Sequence, residues 1–200
     1  YQNIDIIRDH KPKYIVILSA DHIYKMDYTA MVMDHIKSGC PVTVACIAVP
    51  RCDASAYGCM QIDNNAMVTD FLEKPKDPPG MPNDENHTLA SMGIYVFNAD
   101  YLYEVLTADA NNENSRRDFG FDIIPALVQQ HKVHAHDFAL SCIRNQGWKD
   151  ICYWRDVGTI DAYWEANMDV AAVQPQLDVY DTVWPIWTHQ EQLPPAKFVQ

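Results

Sequence analysis

Several things are missing from this sequence. No apolar run approaches the ~18 residues of a membrane-spanning helix, and no leader-like charged and apolar start is present. No two cysteines form a C-x-x-C pair, so zinc-ribbon and thioredoxin-type chemistry have no motif to stand on. G-x-x-x-x-G-K-[ST] and G-x-S-x-G are both absent, as is a Cys–His pair of recognisable spacing, which leaves nucleophilic catalysis unsupported. Positive charge is scarce: 15 Lys and Arg against 27 Asp and Glu give a formal charge of -12. Such a chain repels nucleic acid and anionic membrane surfaces, so neither is an expected partner.

The 200 residues suffice for one domain with a substantial core, and 48% are hydrophobic against 21% charged, a globular mixture. Cys40, Cys46, Cys52, Cys59, Cys142 and Cys152 are expected to be reduced and mostly buried thiols of a cytoplasmic protein. The chain starts in mid-pattern at Tyr1 without Met and stops abruptly at Gln200, and is expected to be a piece of a longer protein.

Apolar periodicity organises the chain. Tyr14–Ser19 is an almost wholly apolar run and predicts a strand buried on both faces. Residues 27–38 carry Met31, Val32, His35 and Ile36 at helical spacing and end at Gly39, a C-cap signal. VTVACIAV (Val42–Val49) is a second buried strand. Strand, helix, strand predicts a parallel α/β sheet. Gly58–Ile62 and Met67–Leu72 flank Asp63-Asn64-Asn65 as a hairpin. DPPGMPNDEN is a loop, LASMGIYVF (Leu89–Phe97) another buried strand, and Asn98–Leu106 a helix with an Asn N-cap. Further elements are a helix at 122–131, a strand at 133–141, and a helix at 159–173 capped by Thr159, with Tyr163, Trp164 and Met168 on one face. After Pro175 the periodicity fades, which reads as a linker over 175–200, with Trp184 and Trp187 packing at a domain junction.

The chemistry-bearing candidates lie at strand ends. Asp21 follows the first buried strand, where open α/β sheets place ligands. Taken alone it reads more often as a turn or cap residue. Asp156, in YWRDVGT, supplies a second acid, and two carboxylates from distant segments suit Mg²⁺ with phosphate oxygens. Glu73-Lys74-Pro75 ends a strand with a Lys that can act as a phosphate point charge. Gly58 and the Ser91-Met92-Gly93 interruption mark close approach of a ligand or backbone. His131, His134 and His136 lack a neighbouring Cys or acid in sequence and are read as a helix end entering an edge strand, not as zinc ligands.

Together, DHIYKMDY, ASAYG, EKP, LASMGIYVF, DFGFDIIP, YWRDVGT and LPPAKFVQ occur in one order. In that order the sequence resembles the bacterial ADP-glucose pyrophosphorylases (glucose-1-phosphate adenylyltransferases). The resemblance implies a Rossmann-like nucleotidyltransferase domain with a mixed, mostly parallel sheet. Residues 1–174 would form its sugar-phosphate half, and 175–200 would lead to a left-handed β-helix. It implies synthesis of ADP-glucose from ATP and glucose 1-phosphate for glycogen, in a cytoplasmic, allosteric homotetramer. By position, Asp21 corresponds to the catalytic, metal-binding aspartate and Asp156 to the second Mg²⁺ ligand. Lys74 corresponds to the catalytic lysine on the sugar phosphate, and Glu73 to the residue on the sugar hydroxyls. Gly58, Ser91, Tyr95, Asp118, Phe119 and Trp154 correspond to residues around the sugar. The family's glycine-rich nucleotide loop and its β-helix have no counterpart in these residues, so the segment alone is expected to be inactive. Asp9 follows Arg8 where enteric relatives carry a second basic residue associated with inhibitor binding, which removes the sequence basis for AMP inhibition. A dTDP-, UDP- or GDP-sugar pyrophosphorylase, or a silent regulatory subunit, are the alternatives. The second is disfavoured by the presence of Asp21, Lys74 and Asp156. A glycosyltransferase would place an acid-x-acid pair where Asp21-His22-Ile23 stands.

Overall fold

The computed structural model describes residues 1–144 and 152–187. A short helix α1 (Ile4–Asp9) leads to β1 (Tyr14–Ile17), β2 (His22–Tyr24) and α2 (Tyr28–Ser38). Asp27 caps α2 through the Thr29 N–H at 2.9 Å, and Gly39 ends it at φ 69°, a left-handed conformation that glycine adopts without strain. Then come β3 (Val42–Pro50), a 3₁₀ segment (Arg51–Ala56), β4 (Gly58–Ile62), β5 (Val68–Glu73) and β6 (His87–Asn98). The chain continues with α3 (Ala99–Ala110), a π-helical turn (Phe119–Ile123), α4 (Ile124–Gln129), β7 (Val133–Asp137), β8 (Trp154–Asp156) and α5 (Ile160–Ala171).

Six strands make one sheet in the order β5-β4-β6-β3-β7, with β1 also paired to β6; β2 and β8 make a separate ribbon. The α/β class and the mixed sheet hold. The expectation that parallel pairs dominate does not: among the described residues only β3 and β7 pair in parallel. The reason is β6. It lies between β1 and β3 and runs antiparallel to both, with Ile17 opposite Tyr95 and Val42 opposite Phe97. Thus β1 and β3 point the same way, as their strand–helix–strand order predicts, without touching as a pair.

The sheet is dry at its centre. Val42, Val44, Ile94, Val96 and Phe97 are fully buried, each burial favouring the fold by about 1.5–3 kcal/mol. Gly93, at φ 65°, breaks the regularity of β6 beside a register shift between Val44 and Cys46. Two polar clusters fasten α2 to the sheet. His35 bonds Thr43 Oγ1 (2.8 Å) and Asn98 Oδ1 (3.1 Å). Asp34 accepts from His136 Nδ1 at 2.7 Å and lies 3.4 Å from His134 Nε2. β7 is the edge strand that the HKVHAH segment predicted.

The cysteine expectation is corrected in part. Cys142 and Cys152 form a disulfide, while Cys40, Cys46, Cys52 and Cys59 are free, with Cys46 and Cys59 buried and Cys52 exposed. Spacing alone cannot reveal such a pairing; the fold makes it, because Met26 bridges Cys142 next to β2 while β8 brings Cys152 alongside. On α5, Tyr163, Trp164 and Met168 are exposed, and Ala166 is the buried residue. Trp184 and Trp187 are also exposed. LPPAKFVQ and the end of the expected linker lie outside the described residues. Among the described residues, no helix is long and apolar enough to cross a membrane.

Candidate active site

The β2–β8 ribbon joins the two acids. Antiparallel pairing sets His22 opposite Asp156 and Tyr24 opposite Trp154, and the Val157 N–H donates to the Asp21 carbonyl at 2.9 Å. The Gly158 N–H donates to Asp156 Oδ1 at 2.8 Å and orients that carboxylate. A Cβ on Gly158 would lie 3.1 Å from Asp156 Oδ1 and 3.3 Å from Asp21 Oδ2, so a side chain here would crowd both carboxylates. One residue later, Thr159 accepts from the Ala162 N–H and starts α5. One donor atom from each of Asp21, His22 and Asp156 falls within 4.8 Å of the others. Two carboxylates at this separation fit a hard divalent cation.

The same cleft, about 430 Å³, is lined by Gly58, Glu73, Lys74, Ser91, Tyr95, Asp118, Phe119 and Gly120. Its size suits a small polar ligand. Glu73 ends β5 opposite Gly58 at the start of β4. A Cβ on Gly58 would come within 2.7 Å of Glu73 Oε2, and one on Gly120 within 2.5 Å, so two glycines make the space its carboxylate occupies. Burial pushes the Glu73 pKa up; the Lys74 charge lowers it and the Asp118 charge raises it. Lys74 sits at φ 49°, tied by its N–H to the Tyr57 carbonyl. Backbone strain of this kind in a bulky side chain collects at functional sites. Asp118 accepts from the Gly120 and Phe121 N–H groups at 2.7 and 2.9 Å, capping the π-helical turn and holding Phe119 over the cleft. Phe119 stacks on Tyr95, whose phenol burial pushes up to about 12. Tyr95 therefore stays neutral and can act as a hydrogen-bond donor.

Of the sequence candidates, all but Trp154 line this one cleft. Trp154 is buried behind it, edge-to-face with His22 and with Tyr57, both at 5.2 Å. Its packing supports those two cleft residues. Sequence reasoning passed over Tyr57, His22 and Arg117, which also line the cleft. Each is the immediate neighbour of a chosen residue (Gly58, Asp21 and Asp118), and that adjacency was the available signal.

One α/β sheet thus gathers paired acids, a strand-end lysine and a small polar cleft in one place. The Nucleotidyl transferase family matches residues 1–173, and the chain belongs to that family. Among curated proteins it is similar to the glucose-1-phosphate adenylyltransferases of Paraburkholderia phymatum (58% identity over 200 residues) and Paraburkholderia phytofirmans (57% over 200). It is 54% identical over 199 residues to that of Rhodospirillum rubrum. These matches take in 100% of the chain but 47% of each relative, so the chain spans about half their length.

Proposed function

We propose that this chain is the sugar-phosphate-binding part of a glucose-1-phosphate adenylyltransferase. It would join the adenylyl group of ATP to glucose 1-phosphate, releasing pyrophosphate and giving ADP-glucose for glycogen synthesis. In this reading residues 1–174 belong to the catalytic domain and 175–200 lead toward a further domain, in a cytoplasmic homotetramer. The observation that carries the proposal is the convergence of Asp21 and Asp156 in the cleft that also holds Glu73 and Lys74.

Both substrates are anions, so the barrier is mainly one of bringing them together in line. Lys74 offsets the charge of the sugar phosphate as a point charge with three donors. Glu73 accepts from sugar hydroxyls, and its own desolvation is relieved when those donors arrive. Tyr95 and Phe119 supply a flat apolar wall for one face of the sugar, while Asp118 fixes the turn that presents Phe119. Asp21 and Asp156 would hold Mg²⁺, which when bound neutralises phosphate charge and templates the two substrates.

The test is pyrophosphate-dependent breakdown of ADP-glucose, UDP-glucose and dTDP-glucose by the full-length gene product, with Asp21→Asn alongside. Preference for ADP-glucose, with the variant inactive, supports the proposal. Preference for another nucleotide sugar moves the chain to a sister enzyme. Inactivity on all three with intact glucose 1-phosphate binding identifies a regulatory subunit and overturns it.

A further inference from the structure

Arg117 lines the cleft beside Asp118 and has no role so far. Its backbone is left-handed at φ 62°, a conformation that a residue with a Cβ adopts at a cost. Glycine would make the turn freely. The loop is held in this shape from both sides. The Arg117 N–H donates to Ser115 Oγ at 2.8 Å, and Ser115 Oγ donates to Asp109 Oδ1 at 2.6 Å. The Arg116 and Asp118 N–H groups both donate to Asp122 Oδ2, at 3.0 and 3.3 Å. The two neighbouring arginines are thereby used differently. The Arg116 guanidinium lies 4.5 Å over the Phe121 ring. That of Arg117 has no hydrogen-bond or ion-pair partner among the described residues. Charge gives it a purpose. Asp21, Glu73, Asp118 and Asp156 line the cleft, with Lys74 and Arg117 as its cations among the described residues. Both cations sit at positive φ, 49° and 62°, and strain of this kind is kept where function needs it. A sugar phosphate carries close to two negative charges, of which one lysine offsets a single charge.

We infer that Arg117 is a second phosphate-binding cation of this cleft, and that together with Lys74 it makes the site select a phosphorylated sugar over an uncharged one. This rests on the assignment of the cleft as the glucose 1-phosphate site. The two side chains differ in what they offer. The guanidinium is a planar fork of donors that matches two phosphate oxygens at once, whereas the lysine is a point charge. Having no protein partner to give up, Arg117 engages the phosphate without breaking an ion pair. It is also exposed, so its replacement opens no cavity in the core.

The experiment measures the KM for glucose 1-phosphate at saturating ATP in the full-length protein, together with the inhibition constant of free glucose against glucose 1-phosphate. Arg117→Gly keeps the left-handed backbone available, so the fold is not at stake. Arg117→Lys keeps the charge and removes the fork. Arg117→Gly should raise the KM by about ten- to a hundredfold, the loss expected for a hydrogen-bonded charge contact, with a smaller fall in kcat. Glucose inhibition should stay nearly unchanged. Arg117→Lys should recover part of the loss, and the KM of Arg117→Gly should depend less on ionic strength than that of the unmodified protein. An unchanged KM in Arg117→Gly, or equal weakening of glucose 1-phosphate and glucose, overturns the inference. Lys74→Ala separates this from failure of the cleft assignment. If Lys74→Ala raises the KM and Arg117→Gly does not, the cleft stands and the inference falls. If neither variant changes the KM, the assignment of the cleft fails as well.

Discussion

The large sheet and the β2–β8 ribbon are built on opposite terms. β3 (Val42–Pro50) and β6 (His87–Asn98) pair along nearly their whole length, and the first five residues of β3 are all buried. The ribbon has two strands of three residues, and of those six only Trp154 is buried. A two-stranded ribbon is marginal by itself. This one is fastened from outside. Lys25, almost fully buried, meets Asp181 at 2.7 Å; Ile143 N–H donates to Lys25 O and Asp27 N–H to Ser141 O; Cys142 is bonded to Cys152. The lesson is a division of labour. Hydrophobic burial sets the frame, and tethers of mixed chemistry hold the two acids at the open cleft.

The sharpest way to break the comparison is to strike each region in turn. Asp21→Asn should cost about 4 kcal/mol of transition-state stabilisation, roughly a thousandfold in kcat, while leaving the thermal midpoint nearly unchanged. Phe97→Ala should do the reverse. Phe97 is fully buried between the core elements, and its truncation should cost about 3–5 kcal/mol in urea unfolding. Metal affinity per folded molecule should hold. If Asp21→Asn instead unfolded the protein, the division would be wrong.

Reducing the Cys142–Cys152 bond sharpens the contrast. Opening a loop of this length should cost about 2–3 kcal/mol. Hydrogen exchange should quicken at residues 22–26 and 152–156 while β3 and β6 keep their protection.

The smallest effect concerns the frame. Burial holds the His35 pKa below its usual value, against the raising influence of its Asn98 bond. The unfolded chain therefore takes up this proton first. Stability conferred by neutral His35 is complete above about pH 6.5 and declines as pH falls toward the depressed folded value. Thermal midpoints measured between pH 7.5 and 5 should show this slope, and His35→Gln should flatten it.

The frame was largely legible in sequence because its signals are local and strong. Asp27 and Gly39 bracket α2, Asp63 opens the β4–β5 turn, and the apolar runs of β1, β3 and β6 stand out. Strand direction was not legible, since a strand buried on both faces reads the same either way and β6 arrives from far along the chain. The ribbon was invisible, because three residues cannot display a period. Asp21 and Asp156 were singled out by motif and strand-end position, and their convergence needed the short pairing of β2 with β8, which no local pattern announces.

The position of β6 also sets a timetable for synthesis. β1 bonds its partner about 80 residues downstream, from Tyr14 to Asn98 and Ile17 to Tyr95. At roughly 5–20 residues per second, β1 and then β3 leave the ribosome with unpaired edges for several seconds. The nascent chain must be shielded during that interval, and slowing translation between β3 and β6 would lengthen its exposure to aggregation.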